Sequence, residues 1–371
     1  MKILTIFIDM ISGEKLNLCN GNAERTELDD FIGKFGGTLY ANCYTPAPDT
    51  PRSAGCMWTG LYPKENGCKY RTRYPMFYMN HQRENIWDIL RRKNYDFQIF
   101  MREPTLASGV LPQWVNEYAY PDGNDLNGFT DSVKLQDNSF IMIYLPDFHT
   151  YIDIFQASRE GAKKGGTFIK SLLDRIFAKL NPDAFDDILL FSDHGFRVAG
   201  ETHRHLLEED RVQTLMLWRK KGQSALTVDK KLRSNLDVFP TICEMINYTP
   251  EGDIDGKSLS GEGHEYILLE DHRNFNVELG QTIERWAVLW RGHIYWLDCA
   301  GWDMYGAPEN HGFDRDKFEK IIAEKMTDYV ENRRDYECIH RHDNDTWKAH
   351  TMFSDGTLLS EVEREQKECS E

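Results

Sequence analysis

The 371 residues contain no run of 18 apolar side chains, so no transmembrane helix is expected. The apolar opening, residues 1–8, is too short and too weakly charged at its front for a secretory leader, and no small-residue cleavage site follows it. The chain is therefore expected to act in the cytoplasm. Proline- or serine-rich linkers and internal repeats are missing. Basic charge is in deficit too: Lys plus Arg number 44 against 60 Asp plus Glu, a formal net charge of −16. A general nucleic-acid binder needs a basic face, so that class is set aside, although a local basic pocket is still allowed. The eight cysteines, in a long chain without a leader, read as free thiols rather than a disulfide framework. What is present, 40 % apolar and 28 % charged residues, excludes a disordered or low-complexity chain. The length suits one large or two smaller globular domains with a substantial core. Nothing in the pattern indicates an oligomeric state.

Continuous apolar runs alternate with helical patterns. Residues 2–8 (KILTIFI), 97–101 (FQIFM), 140–145 (FIMIYL) and 188–191 (ILLF) read as strands. Helical stretches fall at 84–94 and at about 154–180, the latter containing Gly161, Gly165 and Gly166. This alternation predicts an α/β fold with a doubly wound, mostly parallel sheet buried on both faces. The character changes near residue 263. Residues 287–290 and 293–297 flank Arg291-Gly292, the signature of an antiparallel hairpin. The expected organisation is a core over 1–262, a small α+β unit over 263–331 and a polar segment over 332–371 that wraps the surface.

Ligands of open α/β sheets bind beyond the carboxyl ends of the strands. There the sequence places Asp9, Arg102, Asp147 with His149, and Asp193 with His194. Any one of these reads as turn or cap chemistry; four strands delivering them to one edge is a stronger signal. Adjacent Asp193 and His194 can share one divalent metal, zinc or manganese suiting a carboxylate oxygen and an imidazole nitrogen. His203 and His205 follow within a loop length, and either could complete a metal shell, with at least one expected to be a plain surface histidine. Thr50 precedes Pro51 and reads as N-cap before N1 of a helix. A helix N-terminus favours anions, and a bound metal there would lower the hydroxyl pKa and make Thr50 a nucleophile. The other reading is that Thr50 only caps. Residues 252–258 (GDIDGKS) fall one residue short of a phosphate-binding loop and follow no strand, so they are rejected as one. Cys338, His340, His342, Asp343 and His350 could chelate a metal but read as a solvated tail.

Taken in order, these segments resemble the alkaline phosphatase superfamily, in its sulfatase-like and nucleotide pyrophosphatase/phosphodiesterase-like branches. Residues 6–9 resemble its first strand with a metal-binding Asp. Residues 50–63 resemble its nucleophile segment, ending in Thr59-Gly60-Leu61-Tyr62-Pro63 with Thr50 at the nucleophile spacing. Residues 86–97, 145–151, 191–195, 209–218, 236–259 and 286–297 are similar to its further segments, the last its small C-terminal sheet. The resemblance implies metal-dependent phosphoester hydrolysis. Thr50 would attack phosphorus and form a phospho-enzyme. Asp9, Asp193 and His194 would hold one zinc or manganese ion with Thr50 as fourth ligand. Asp147 with His203 or His205 would hold a second ion if one binds, and His149 would ligate it or contact substrate. Arg102 or Arg52 would neutralise the phosphoryl oxygens. Two departures argue against a sulfatase: residue 50 is Thr, which cannot become formylglycine, with Ala54 in the usual Arg place, and Asp9 is followed by Met10 where sulfatases tend to have a second Asp. A third bears on the second ion. The phosphodiesterase pattern has Asp and His four residues apart, whereas Asp147 and His149 are two apart and Tyr151 takes the fourth place. A phosphotransferase passing the group to a sugar or lipid is the alternative. A sulfatase or a non-catalytic binding protein stands further back.

Overall fold

The computed structural model describes residues 1–68, 79–80, 82–102, 111–271, 286–298, 301–304, 306–307, 312–326, 353–358, 360 and 362. Its centre is an eight-stranded sheet. The strands are β1 (Lys2–Ile8), β2 (Gly37–Tyr44), β3 (Asp96–Phe100), β4 (Ser139–Leu145), β5 (Asp187–Ser192), β6 (Gln213–Thr214), β7 (Met216–Lys220) and β8 (Leu226–Ser234), in the order β3-β4-β1-β5-β7-β2-β6 with β8 also paired to β2. The block β3-β4-β1-β5 is parallel throughout. β7 runs antiparallel to β5 and β2, and β8 is parallel to β2. The doubly wound, mostly parallel expectation therefore holds for the half that carries the candidate residues.

The strand sequences are apolar on both sides because helices cover both faces. Helices α1 (Glu27–Phe35) and α5 (Arg159–Lys179) cover one face, and α2 (Thr50–Thr59), α3 (Ile86–Arg92) and α6 (Val238–Met245) the other. In β1, Ile3 and Phe7 point to the α2 side while Leu4, Ile6 and Ile8 point to the α5 side. Ile169, Leu172, Leu173 and Ile176 of α5 meet the latter set at helical spacing and are fully buried. Each such side chain contributes about 1.5–3 kcal/mol. On the α2 side Trp58 packs edge-on to Trp87 (5.1 Å between centroids) and to Phe7 (6.3 Å).

The long helical stretch expected over 154–180 is two helices. α4 (Asp147–Ile154) ends before Gln156 and Ala157, both at positive φ (52° and 53°), and α5 restarts with Ser158 as N-cap, its hydroxyl accepting from Gly161 N–H at 3.1 Å. Serine capping competes with helix continuation, which an apolar period alone does not report. The helix expected at 84–94 is shorter, capped by Asn85 and running to Arg92.

The second sheet is antiparallel, in the order β12-β11-β10-β9, from β9 (Tyr266–Glu270), β10 (Trp286–Trp290), β11 (His293–Asp298) and β12 (Gly301–Asp303). The predicted hairpin is there: Arg291 and Gly292 both have positive φ (49° and 77°), as a two-residue primed turn requires. Helix α7 (Arg315–Lys325) buries Phe318 and Ile322 against this sheet. Within the segment expected to wrap the surface, Phe353 and Ser354 are fully buried, and Phe353 packs on Tyr151, Ile154 and Phe155 of the α4 region. Cys338, His340, His342, Asp343 and His350 lie outside the described residues. Cys19, Cys43, Cys56, Cys68 and Cys243 are free thiols. No described helix is long and apolar enough to cross a membrane.

Candidate active site

Asp9 follows β1, and Asp193 and His194 follow β5. Because β1 and β5 are parallel neighbours with Ile8 opposite Ser192, the three side chains emerge side by side. They form a buried group whose ligand atoms all lie within 4.8 Å of one another. Helix α2 points its N-terminus at them. The N-cap is Asp49, not Thr50: the Asp49 carboxylate accepts from Arg52 N–H at 3.2 Å, and Thr50 is the first helical residue with Pro51 after it. Aspartate is as good a cap as threonine, and it is further fixed by the Arg52 guanidinium. The shift of one position spares the Thr50 hydroxyl from capping. It stands 3.5 Å from His194 Nε2.

The backbone and side chains around this group hold it rigidly. Asp193 Oδ1 accepts from the N–H groups of Met10 and His194, both at 2.9 Å. His194 Nδ1 is 2.8 Å from the carbonyl of Gly195, which can only accept; the proton is therefore on Nδ1, and in the neutral ring Nε2 turns its lone pair to the site. Tyr144 of β4 donates its hydroxyl to Asp9 Oδ2 at 2.7 Å, and His149 Nδ1 lies 3.2 Å from the same oxygen. Asn235 gives its amide N–H groups to the carbonyls of Ser192 (3.1 Å) and Asp193 (3.0 Å) and to Ser53 Oγ (3.1 Å). Ser53 Oγ in turn donates to Asp193 O. Sequence reasoning missed Tyr144 and Asn235. The only local signal for the first was a tyrosine next to last in an otherwise aliphatic buried strand; the second has none.

Burial and charge set the protonation of the pair. Burial pushes Asp193 well above the usual carboxylate range, and the neighbouring Asp9 charge adds to it. Burial opposes ionisation of Asp9 as well, but His149, His194 and the Tyr144 hydroxyl together outweigh it, and the pKa falls to about 2. Burial disfavours the His149 imidazolium, yet Asp153 (3.5 Å from Nε2) and then Asp9 overcome it and raise it to about 9. Two oxygens, Asp9 Oδ1 and Asp193 Oδ2, are buried without a hydrogen-bond donor. His194 Nε2 lies 3.9 Å from the first and 3.5 Å from the second. Bonds of about 2.0–2.2 Å in a tetrahedron put neighbouring ligand atoms roughly 3.3–3.6 Å apart. Asp9, Asp193, His194 and Thr50 therefore fit a divalent cation, a fit that rests on orphaned oxygens as well as on residue types.

The other expected residues divide. His149 joins the group through Asp9. Arg102, buried at the end of β3, reaches Thr150 Oγ1 of α4 at 3.4 Å. Arg52 turns the other way, into a buried ion-pair set with Asp49, Asp271 (3.4 Å) and Glu270 (3.7 Å), so the phosphoryl-binding part expected of it is not what its side chain shows. Asp147 is also engaged elsewhere: both its oxygens accept from Ser354, from N–H and Oγ at 2.7 Å each. The pairing expected of Asp147 with His203 or His205 is not formed among the described residues. His203 instead sits with Glu208 and Asp210. His205 stacks on Trp296 at 3.9 Å and lies 3.2 Å from Asp303. Burial raises the Asp210 pKa to about 6.

A scan against models of known protein families finds no match, and a search of curated protein sequences finds none either. Solved structures do match. A protein in the alkaline phosphatase superfamily from Vibrio parahaemolyticus superposes with a TM-score of 0.61 at 12 % identity, covering 93 % of this chain and 88 % of that one. A phosphonate monoester hydrolase from Silicibacter pomeroyi gives 0.60 at 14 %, covering 93 % and 95 %. A 2-O GAG sulfatase gives 0.58 at 15 %, covering 96 % and 97 %. Identities this low speak for the fold, and they do so over nearly the whole of each chain. The chain has the fold of the alkaline phosphatase superfamily in its sulfatase-like form.

Proposed function

We propose that this chain is a metal-dependent phosphoester hydrolase acting through a phospho-threonine at Thr50. The observation that carries the reading is the Thr50 hydroxyl, released from capping by Asp49, 3.5 Å from His194 Nε2 beside two buried carboxylates with undonated oxygens. Asp9, Asp193 and His194 would hold the ion, zinc or manganese by donor type, with Thr50 as fourth ligand. When bound, the ion supplies Lewis acidity and lowers the Thr50 pKa. Thr50 Oγ attacks phosphorus in line, the bond to the leaving oxygen breaks, and water later cleaves the phospho-threonine. Tyr144 and His149 hold Asp9 in place, and Arg102 offsets charge on the phosphoryl oxygens. The phosphoester choice over a sulfate ester rests on residue 50 being threonine, which cannot be converted to formylglycine. Residues 1–262 form the catalytic part on this reading.

The test is turnover of p-nitrophenyl phosphate, bis-p-nitrophenyl phosphate and p-nitrophenyl sulfate, with metal, after chelation, and in Thr50→Ala. Chelator-sensitive phosphoester cleavage that disappears in Thr50→Ala is the expected result, and the mono- to diester ratio then names the branch. Sulfate cleavage, or full activity in Thr50→Ala, overturns the nucleophile assignment.

A further inference from the structure

We propose that His203, Glu208 and Asp210 form a second divalent-cation site, separate from the Thr50 centre, that staples the loop following His194. Their ligand atoms lie within 4.8 Å of one another. His203 Nδ1 is 3.0 Å from Glu208 Oε2 and 3.5 Å from Asp210 Oδ2, spacings that bracket the edge of roughly 3.3 Å expected of a tetrahedral zinc shell. One proton on Nδ1 can serve only one of those carboxylates well; a dication can serve both.

The independent observation is Asp210. It is 7 % exposed, and neither of its carboxylate oxygens accepts a hydrogen bond. A buried carboxylate in that state costs several kcal/mol and is expected to be paired, hydrogen-bonded or ligating. Arg197 acts on both acids electrostatically, but its buried Nε and Nη2 donate to neither of them. The Glu208 carboxylate is already held in the orientation an ion would need. Its Oε1 accepts from the N–H groups of Arg204 (2.9 Å) and His205 (2.8 Å), leaving Oε2 toward His203. His203 lies in the loop after β5, and Glu208 and Asp210 are the N-cap and second residue of the short helix Glu209–Val212 that ends it; the segment is tied at its base where Gly195 N–H meets the carbonyl of Arg211 at 2.8 Å. An ion there fixes the chain that leaves the Asp193-His194 step. The site needs nothing from the Thr50 chemistry.

The experiment is equilibrium dialysis of the chelator-stripped full chain against zinc or manganese, with bound metal counted by mass spectrometry. Asp210→Asn and His203→Gln are compared with wild type and with Thr50→Ala. The expected result is one ion fewer per chain in Asp210→Asn and in His203→Gln than in wild type, with that ion retained in Thr50→Ala. At a hundredfold excess over Kd, zinc bound at this site raises the melting temperature by about 3 °C, and this gain is missing in Asp210→Asn. Folding is controlled in stripped protein, where Asp210→Asn melts no lower than wild type because it removes a buried charge whose oxygens accept no hydrogen bond. Equal metal counts in wild type and Asp210→Asn overturn the proposal, whatever the count. If the Thr50 centre binds nothing, wild type holds one ion and Asp210→Asn none, so failure of the catalytic reading and of this one give different numbers.

Discussion

Tyr144→Phe isolates the support of Asp9 from the metal-ligand set itself. The substitution removes one oxygen and keeps the ring, so the edge-on packing of Phe7 and Tyr144 (4.7 Å between centroids) survives. What is lost is the 2.7 Å hydrogen bond to Asp9 Oδ2, made in full burial. A hydrogen bond to a charged group contributes about 1.5–3 kcal/mol. At roughly 2.1 cal/mol/K of unfolding entropy per residue, 371 residues give about 0.8 kcal/mol/K, so the melting temperature should fall by about 2–4 °C. Asp9 also loses the contact that orients it, and outer partners of metal ligands are typically worth 10- to 100-fold in affinity. Dialysis should therefore show zinc binding at the Asp9 centre weakened by about that factor, with turnover restored at high metal. A variant that melts lower yet binds zinc with unchanged affinity would refute the positioning argument and leave Tyr144 a packing residue.

Further outcomes are expected at other points of the structure. Thr50→Ser should keep chelator-sensitive phosphoester turnover, because the hydroxyl stays at the first helical position, while Thr50→Ala should abolish it. Gly55→Ala should destabilise by about 1–3 kcal/mol in urea titrations, since the new methyl would lie 2.8 Å from both Cβ and Sγ of Cys68. In metal-free protein, Asp210 has its folded pKa raised from 3.8 to about 6 by burial. The folded state then holds the extra proton, so stability falls as pH rises from about 4 to 6 and is lowest above it. The span corresponds to roughly 3 kcal/mol. Asp210→Asn should abolish that slope in denaturant melts across the window. Ser354→Ala leaves Asp147 Oδ2 without a donor in a fully buried place. It should lower the melting temperature by about 1–4 °C and, by loosening α4, reduce turnover through His149.

How much could be read from the residues depended on the range of the interactions involved. Asp9, Asp193 and His194 were legible because each lies at or just beyond the end of an apolar run, and parallel strands bring such positions to one edge. The Arg291-Gly292 turn was legible because two consecutive positive φ angles restrict composition sharply. One-residue questions were harder. Asp49 and Thr50 are both good caps, and only the Arg52 guanidinium, held among three acids, decides between them. Pro51 did not help, since proline is accepted at either of the first two helical positions. Asp147 was misread because its partner is Ser354, 207 residues later, and no local pattern advertises such a pair. His203 was read as a candidate ligand beside Asp147, whereas its side chain lies against Glu208 and Asp210. The acids it meets, Glu208 and Asp210, sit at the start of the short helix Glu209–Val212, which no apolar period marks.

The distance between Asp147 and Ser354 also has a consequence in time. Helix α4 carries His149 and Thr150, the latter in contact with Arg102, and its first residue is a buried acid satisfied by Ser354. At about 5–20 residues per second, the separation of 207 positions occupies a ribosome for about 10–40 s. Through that interval the central sheet can pair and its helices can dock, but α4 begins on an unanswered carboxylate and Phe353 has not yet covered Tyr151. A nascent chain halted before residue 353 would thus present a formed scaffold with an unsecured rim beside Asp9. Competence at the candidate centre should arrive late and abruptly, on delivery of one short stretch around Phe353 and Ser354 rather than by gradual growth of the core.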